Sequence, residues 1–67
     1  THRKGFVKSV DTDRKTATID IQDEEEAGRV TYSVDDDEVL KKLSLKVGQE
    51  ISFIEKDGKI ERVEPPF

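Results

Sequence analysis

The side chains that could do chemistry in this chain are few. Its 67 residues include no Cys, Met or Trp, one Tyr and one His. Disulfides and thiolate metal sites are therefore excluded. His2 stands beside Arg3 and Lys4; one imidazole makes no chelate, and at a chain terminus it is expected to fray. Nucleophilic catalysis needs a base held against a hydroxyl, and nothing in the spacing places His2 beside Ser9, Ser33, Ser44 or Ser52. Carboxylates occur in two runs, Asp23 to Glu26 and Asp35 to Glu38. Either could offer oxygens to a cation, but a solvated loop accounts for the first and an acidic helix start for the second. Asp11-x-Asp13 lacks the downstream Gly and Glu of a calcium loop and reads as a turn. No glycine-rich phosphate loop is present. These residues predict a protein that is not an enzyme, with no catalytic residue, no metal ligand and no cofactor.

One group combines charge with a ring. Lys4, Phe6 and Lys8 alternate along one segment, Arg14 and Lys15 follow at the next turn, and Thr18 lies on the segment after it. With Phe6 pointing outward, these residues form a small basic-aromatic patch able to stack a base or anchor a partner. With Phe6 pointing inward, the ring belongs to the core or to one end of the domain. In a protein so short of apolar side chains the inward placement is the expected one.

Overall charge argues against polyanions. Formal net charge is -4, with 42% charged and 31% hydrophobic residues. Residues 1–15 carry five Lys/Arg against Asp11 and Asp13, while residues 16–67 carry seven Lys/Arg against fourteen Asp/Glu. Nucleic acid or an anionic membrane would be repelled by most of the surface and attracted only near the amino terminus. Apolar runs are too short for a membrane span or a signal-peptide core, so membrane insertion is not expected. The chain starts at Thr1 and lacks Met, which reads as a processed product or an excised segment.

The elements that must position the patch follow from periodicity. Thr16 to Gln22 alternates Ala17, Ile19 and Ile21 with polar residues; Val30, Tyr32 and Val34 alternate with Arg29, Thr31 and Ser33; Ile51 and Phe53 alternate with Glu50, Ser52 and Glu55, though Ile54 breaks the pattern. Phe6, Val7 and Val10 on the first strand, and Ile60 and Val63 on the last, break strict alternation. Such slips predict a bulge or a strand bent between two sheets, with Gly5 easing the bend. Asp57-Gly58 between Lys56 and Lys59 is a hairpin turn signal. Residues 35–43 predict a short helix, acidic at its start and basic at its end, with Val39, Leu40 and Leu43 on one face and Asp35 with Glu38 as a capping-box variant. Residues 65–67, Pro-Pro-Phe, read as a tail.

The order β-β-β-α-β-β in one domain spanning 1–67 predicts an all-β fold, a small five-stranded barrel with one short helix. The OB-fold fits it, with an SH3-like barrel as the alternative. Barrel closure removes sheet edges and lets a small apolar set share one interior.

Two families are similar at the level of motifs. Lys4-Gly5-Phe6-Val7-Lys8, Leu43, and Val47-Gly48-Gln49-Glu50-Ile51-Ser52-Phe53 resemble parts of bacterial cold-shock domains. The outward faces of strands two and three, however, carry Thr16, Thr18, Asp20, Gln22, Arg29, Thr31 and Ser33 rather than the stacking rings of that family. The pattern Gly5-x-Val7-Lys8-x-Val10-Asp11, Lys15-x-x-Thr18-Ile19 and Leu45-x-Val47-Gly48-x-x-Ile51-x-Phe53 resembles small bacterial OB domains of the periplasmic copper-chaperone kind, linked to cation efflux. That resemblance implies a barrel and a periplasmic setting, with a cytoplasmic one left open. The family's copper site uses Met, His and a stacking Trp, and the chain has only His2 of these types. The expected function is thus a non-enzymatic binding or accessory module contacting another protein or an adjacent domain. Binding of single-stranded DNA or RNA through Lys4, Phe6, Lys8, Arg14, Lys15 and Thr18 is the alternative, and a metal-chaperone role is the second alternative.

Overall fold

The structure is a computed structural model that describes residues 2–22 and 27–64. The chain runs β1 (His2–Asp11), β2 (Thr16–Gln22), β3 (Ala27–Ser33), α1 (Asp37–Leu45), β4 (Glu50–Lys56) and β5 (Lys59–Glu64). The strands close into a barrel in the order β1-β2-β3-β5-β4. This is the five-stranded OB arrangement with its helix between β3 and β4. A helix of nine residues at that point, rather than a single 3₁₀ turn, separates it from the SH3-like alternative. Among the described residues no helix is long and apolar enough to cross a membrane.

β1 is the strand that serves both sides of the barrel. Gly5 lies opposite Ile21 of β2 and Ile51 of β4, and Phe6 lies opposite Asp20 and Glu50. The predicted irregularities are both present. The β1–β2 register shifts between Val7 and Ser9, and the β4–β5 register shifts between Ile54 and Glu55. Gly5 does more than ease a bend. A Cβ placed there would stand 2.5 Å from the Asp20 backbone oxygen and 2.8 Å from Ile19 Cγ2, so only glycine lets β1 lie this close to β2.

The interior is filled by alternating strand residues and one helix face. Val7, Ile19, Val34, Leu43 and Phe53 are wholly buried, and Tyr32 meets Phe53 edge to face at 5.4 Å between ring centroids. Val39, Leu40 and Leu43 are the buried residues of α1, which packs against β1, β2 and β5. The helix starts later than residue 35 and runs to Leu45. Its N-cap is Asp36, whose Oδ1 accepts the Glu38 N–H at 2.9 Å. Asp35, the expected cap, instead receives Lys59 Nζ at 2.9 Å.

Turn chemistry agrees with the residues. Asp57 (φ 52°) and Gly58 (φ 77°) form the two-residue β4–β5 turn, both left-handed as a type I′ turn requires. In the β1–β2 turn, Asp11 Oδ1 accepts the N–H groups of Asp13 and Arg14 at 3.0 and 3.1 Å. Closure between β3 and β5 is parallel and rests on one residue pair, Ser33 with Lys59, beside a Ser33 N–H to Gly58 carbonyl bond of 3.0 Å.

Candidate functional site

Strand parity decides where the basic-aromatic residues stand. Gly5 and Val7 are buried, so Lys4, Phe6 and Lys8 take the outer side of β1. Phe6 is 37% exposed and does not belong to the core, contrary to the inward placement expected for a ring in a core-poor chain. The reason is geometric: the interior beside Gly5 is already filled by the close approach of β2, while Phe53 and Tyr32 supply the buried rings.

Around Phe6 the outer face of β1, β2 and β3, with Glu50 at the start of β4, carries mixed charge. Asp20 and Glu50 flank the ring from the neighbouring strands. Lys8, at the bulge, reaches Asp20 Oδ2 at 3.9 Å. Thr18 and Thr31 face each other, their hydroxyl oxygens 3.1 Å apart. Arg29 lies opposite Asp20 on β3 and is exposed. Four of the six predicted patch residues, Lys4, Phe6, Lys8 and Thr18, therefore share one face. Arg14 and Lys15 do not join them. Arg14 stays at the turn with Nε 3.9 Å from Asp11 Oδ2, and Lys15 turns to Asp37 at 3.3 Å. Arg29 and Glu50 belong to the face although they were not among the six. The outward parity of Arg29, Thr31 and Ser33 on β3 carried that signal for Arg29.

Several other ionisable residues pair across elements. His2, expected at a frayed end, is in β1 opposite Ile54, with Nε2 3.2 Å from Glu64 Oε1. Arg3 lies 3.8 Å from Glu55, and both side chains are largely buried. Glu55 Oε1 also accepts the Gly58 N–H. The run Asp35 to Glu38 is divided among separate tasks. Asp35 holds Lys59, Asp36 caps α1 and Asp37 meets Lys15. The hydrogen bond and charge of Asp35 raise the Lys59 pKa above its ordinary 10.5. The run 23–26 lies outside the described residues. Among the described residues no group of three or more His, Cys, Asp or Glu is arranged to hold a metal ion. An open depression beside the β3–β5 junction is lined by Asp35, Asp36, Lys59, Ile60 and Glu61.

The geometry thus offers an outward sheet face with one ring, the hydroxyl pair Thr18–Thr31 and charges of both signs. Such a surface can bury a ring against a partner and pair with polar groups around it. Comparison with protein-family models, with curated proteins and with solved structures finds no match for this chain.

Proposed function

We propose that this barrel is a non-enzymatic binding module whose outer β1–β2–β3 face contacts another protein or a neighbouring domain, with Phe6 as the anchor. The observation that carries the reading is the outward, partly exposed Phe6 at the junction of three strands. Its strand neighbours cover only part of the ring and leave apolar surface in water. The ring gains when a partner covers it, and interface energy concentrates in such aromatic and Arg positions. Arg29, Lys4 and the Thr18–Thr31 pair then supply a polar rim.

Nucleic acid is the second reading, favoured by Lys4 and Lys8 on either side of the ring. Two carboxylates, Asp20 and Glu50, stand directly across from Phe6, and the chain carries a net charge of -4. A phosphate backbone tracking this face would meet both, whereas a protein partner can place cations opposite them. The test compares immobilised wild-type chain with Phe6→Ala and, as a control on α1, Lys42→Ala. Retention of one partner protein by wild type and Lys42→Ala, but not by Phe6→Ala, supports the reading. Saturable binding of a single-stranded oligonucleotide near 150 mM salt, with a steep salt slope, replaces it with the second.

A further inference from the structure

Three large apolar side chains are exposed among the described residues, and two of them lie away from the β1–β2–β3 face. Leu45 is 72% and Val47 48% exposed, at the end of α1 and in the turn that leads to β4. Backbone bonds hold this turn in place. Lys46 N–H donates to the Leu43 carbonyl at 2.9 Å and Gln49 N–H to the Lys46 carbonyl at 2.9 Å, while Gly48 takes a φ of 87°. Two further bonds fasten the turn to β1. Gly48 N–H donates to the Val7 carbonyl at 2.7 Å, and Val7 N–H donates to the Gln49 carbonyl at 3.0 Å. Val47 is thus presented on a fixed backbone two residues from Leu45, and little ordering precedes its burial by a partner.

The charge at this corner is opposite to that of the molecule. Residues 39–49 carry Lys41, Lys42 and Lys46 and no Asp or Glu, in a chain whose net charge is -4. Lys41 precedes Leu45 by one helical turn and shares its side of α1, and Lys46 stands between Leu45 and Val47. Among the described residues neither Lys41 nor Lys46 meets a carboxylate, whereas Lys8, Lys15 and Lys59 each do. Lys42 is turned about 100° round the helix from Lys41; it has an interaction of its own and is not part of the corner. Lysines at a helix C-terminus are accounted for by the helix dipole. Two exposed apolar side chains beside them are not, and an apolar pair set among cations complements a ligand that is both apolar and acidic. Carboxylates bound the corner on two sides. Glu38, seven residues before Leu45, projects from the same side of α1 two turns away, and Glu50 lies opposite Phe6 at the start of β4. An anionic bilayer is broad enough to be pressed onto both, whereas a peptide segment can end short of them.

We infer that the corner formed by Lys41, Leu45, Lys46 and Val47 binds a short acidic segment of a partner protein, one whose apolar side chains are flanked by Asp or Glu. The apolar side chains cover Leu45 and Val47, and the carboxylates meet the two lysines. Phe6 is not part of this corner, so the inference stands apart from the role given to that ring.

The test titrates the whole isotope-labelled chain with a synthetic peptide, Asp-Glu-Leu-Glu-Phe-Leu-Glu-Asp, and follows amide NMR shifts. Shifts centre on Leu45, Lys46 and Val47 and saturate. Leu45→Ser weakens binding about tenfold, Lys41→Glu combined with Lys46→Glu weakens it at least as much, and added salt weakens it in wild type. Phe6→Ala leaves it unchanged. Replacing the acids of the peptide by lysines, or its Leu and Phe by Ser, abolishes the shifts. Leu45 is exposed, so Leu45→Ser keeps the folded spectrum, and Val47→Ser repeats the apolar loss outside α1. Four results overturn the proposal. They are no shifts at millimolar peptide, equal binding of the lysine peptide, shifts confined to Lys4, Phe6 and Thr18, and wild-type affinity in both Leu45→Ser and the charge-reversed chain. If the peptide fails and vesicles of three parts phosphatidylcholine to one part phosphatidylserine sediment the chain but not Leu45→Ser, the corner belongs to a membrane and the proposal falls.

Discussion

Replacing Gly5 with Ala is the sharpest perturbation of the frame that holds the binding face. Gly5 is buried on β1 between Ile21 and Ile51, one residue before Phe6. The added methyl would stand 2.5 Å from a backbone oxygen and 2.8 Å from Ile19 Cγ2. The carbonyl cannot rotate away as the end of a long side chain could, so β1 must lift from β2 or β4. Overpacking of this kind costs typically 1–3 kcal/mol, and contact with backbone puts this case near the top, at about 3 kcal/mol. A domain of this length has a total stability of roughly 3–10 kcal/mol, so the loss is a large share of it. At about 4–8 °C per kcal/mol, the midpoint falls on the order of 12–24 °C. Urea and thermal unfolding followed by far-UV circular dichroism and by Tyr32 emission measure this directly, since the chain has no Trp. Gly58→Ala is the comparison. It has open space but a φ of +77°, and its cost is conformational, about 1 kcal/mol. A Gly5→Ala loss under about 0.5 kcal/mol, within the range of ordinary surface changes, would refute the close-approach argument.

Three further outcomes follow from the same geometry. Phe53→Ala loses about 3–5 kcal/mol because it empties the centre of the core, while Phe6→Ala stays within about 1 kcal/mol; paired urea curves check both. Asp36→Ala costs about 1 kcal/mol by uncapping α1, and Asp35→Ala leaves helix signal in circular dichroism unchanged. Asp35 raises the Lys59 pKa, so the pair's contribution is fully present below pH 10.5 and is lost as pH rises through the higher folded value. The difference in urea midpoint between wild type and Lys59→Gln is therefore constant from neutral pH to pH 9 and shrinks above 10.5; a difference that grows with alkalinity would contradict the sign.

Much of this architecture could be read from residue order, and the misses have identifiable causes. β2 and β3 alternate cleanly because each buries one side only, and Asp57-Gly58 is legible because few residues tolerate two left-handed positions. The helix start is displaced because Asp35, Asp36 and Asp37 are equivalent as caps in sequence. The choice is made by Lys59, 24 residues away, which engages Asp35. Phe6 is misread when it is weighed as a large ring beside Val7. The parity of Lys4, Phe6 and Lys8 carried the better signal, since two lysines cannot share a core face. Lys15 is separated from the patch by its positive φ and its pairing with Asp37, neither of which spacing reveals.

The central claim is that the outer β1–β2–β3 face meets a protein through Phe6, and site-specific photocrosslinking tests it most directly. A benzophenone side chain in place of Phe6, and separately in place of Lys42, is irradiated in an extract of the native host. The account predicts one discrete adduct from position 6, destroyed by protease, resistant to nuclease, competed by excess wild-type chain and not by Phe6→Ala, and absent from position 42. A nuclease-sensitive adduct at position 6, or identical adducts from both positions, would contradict it.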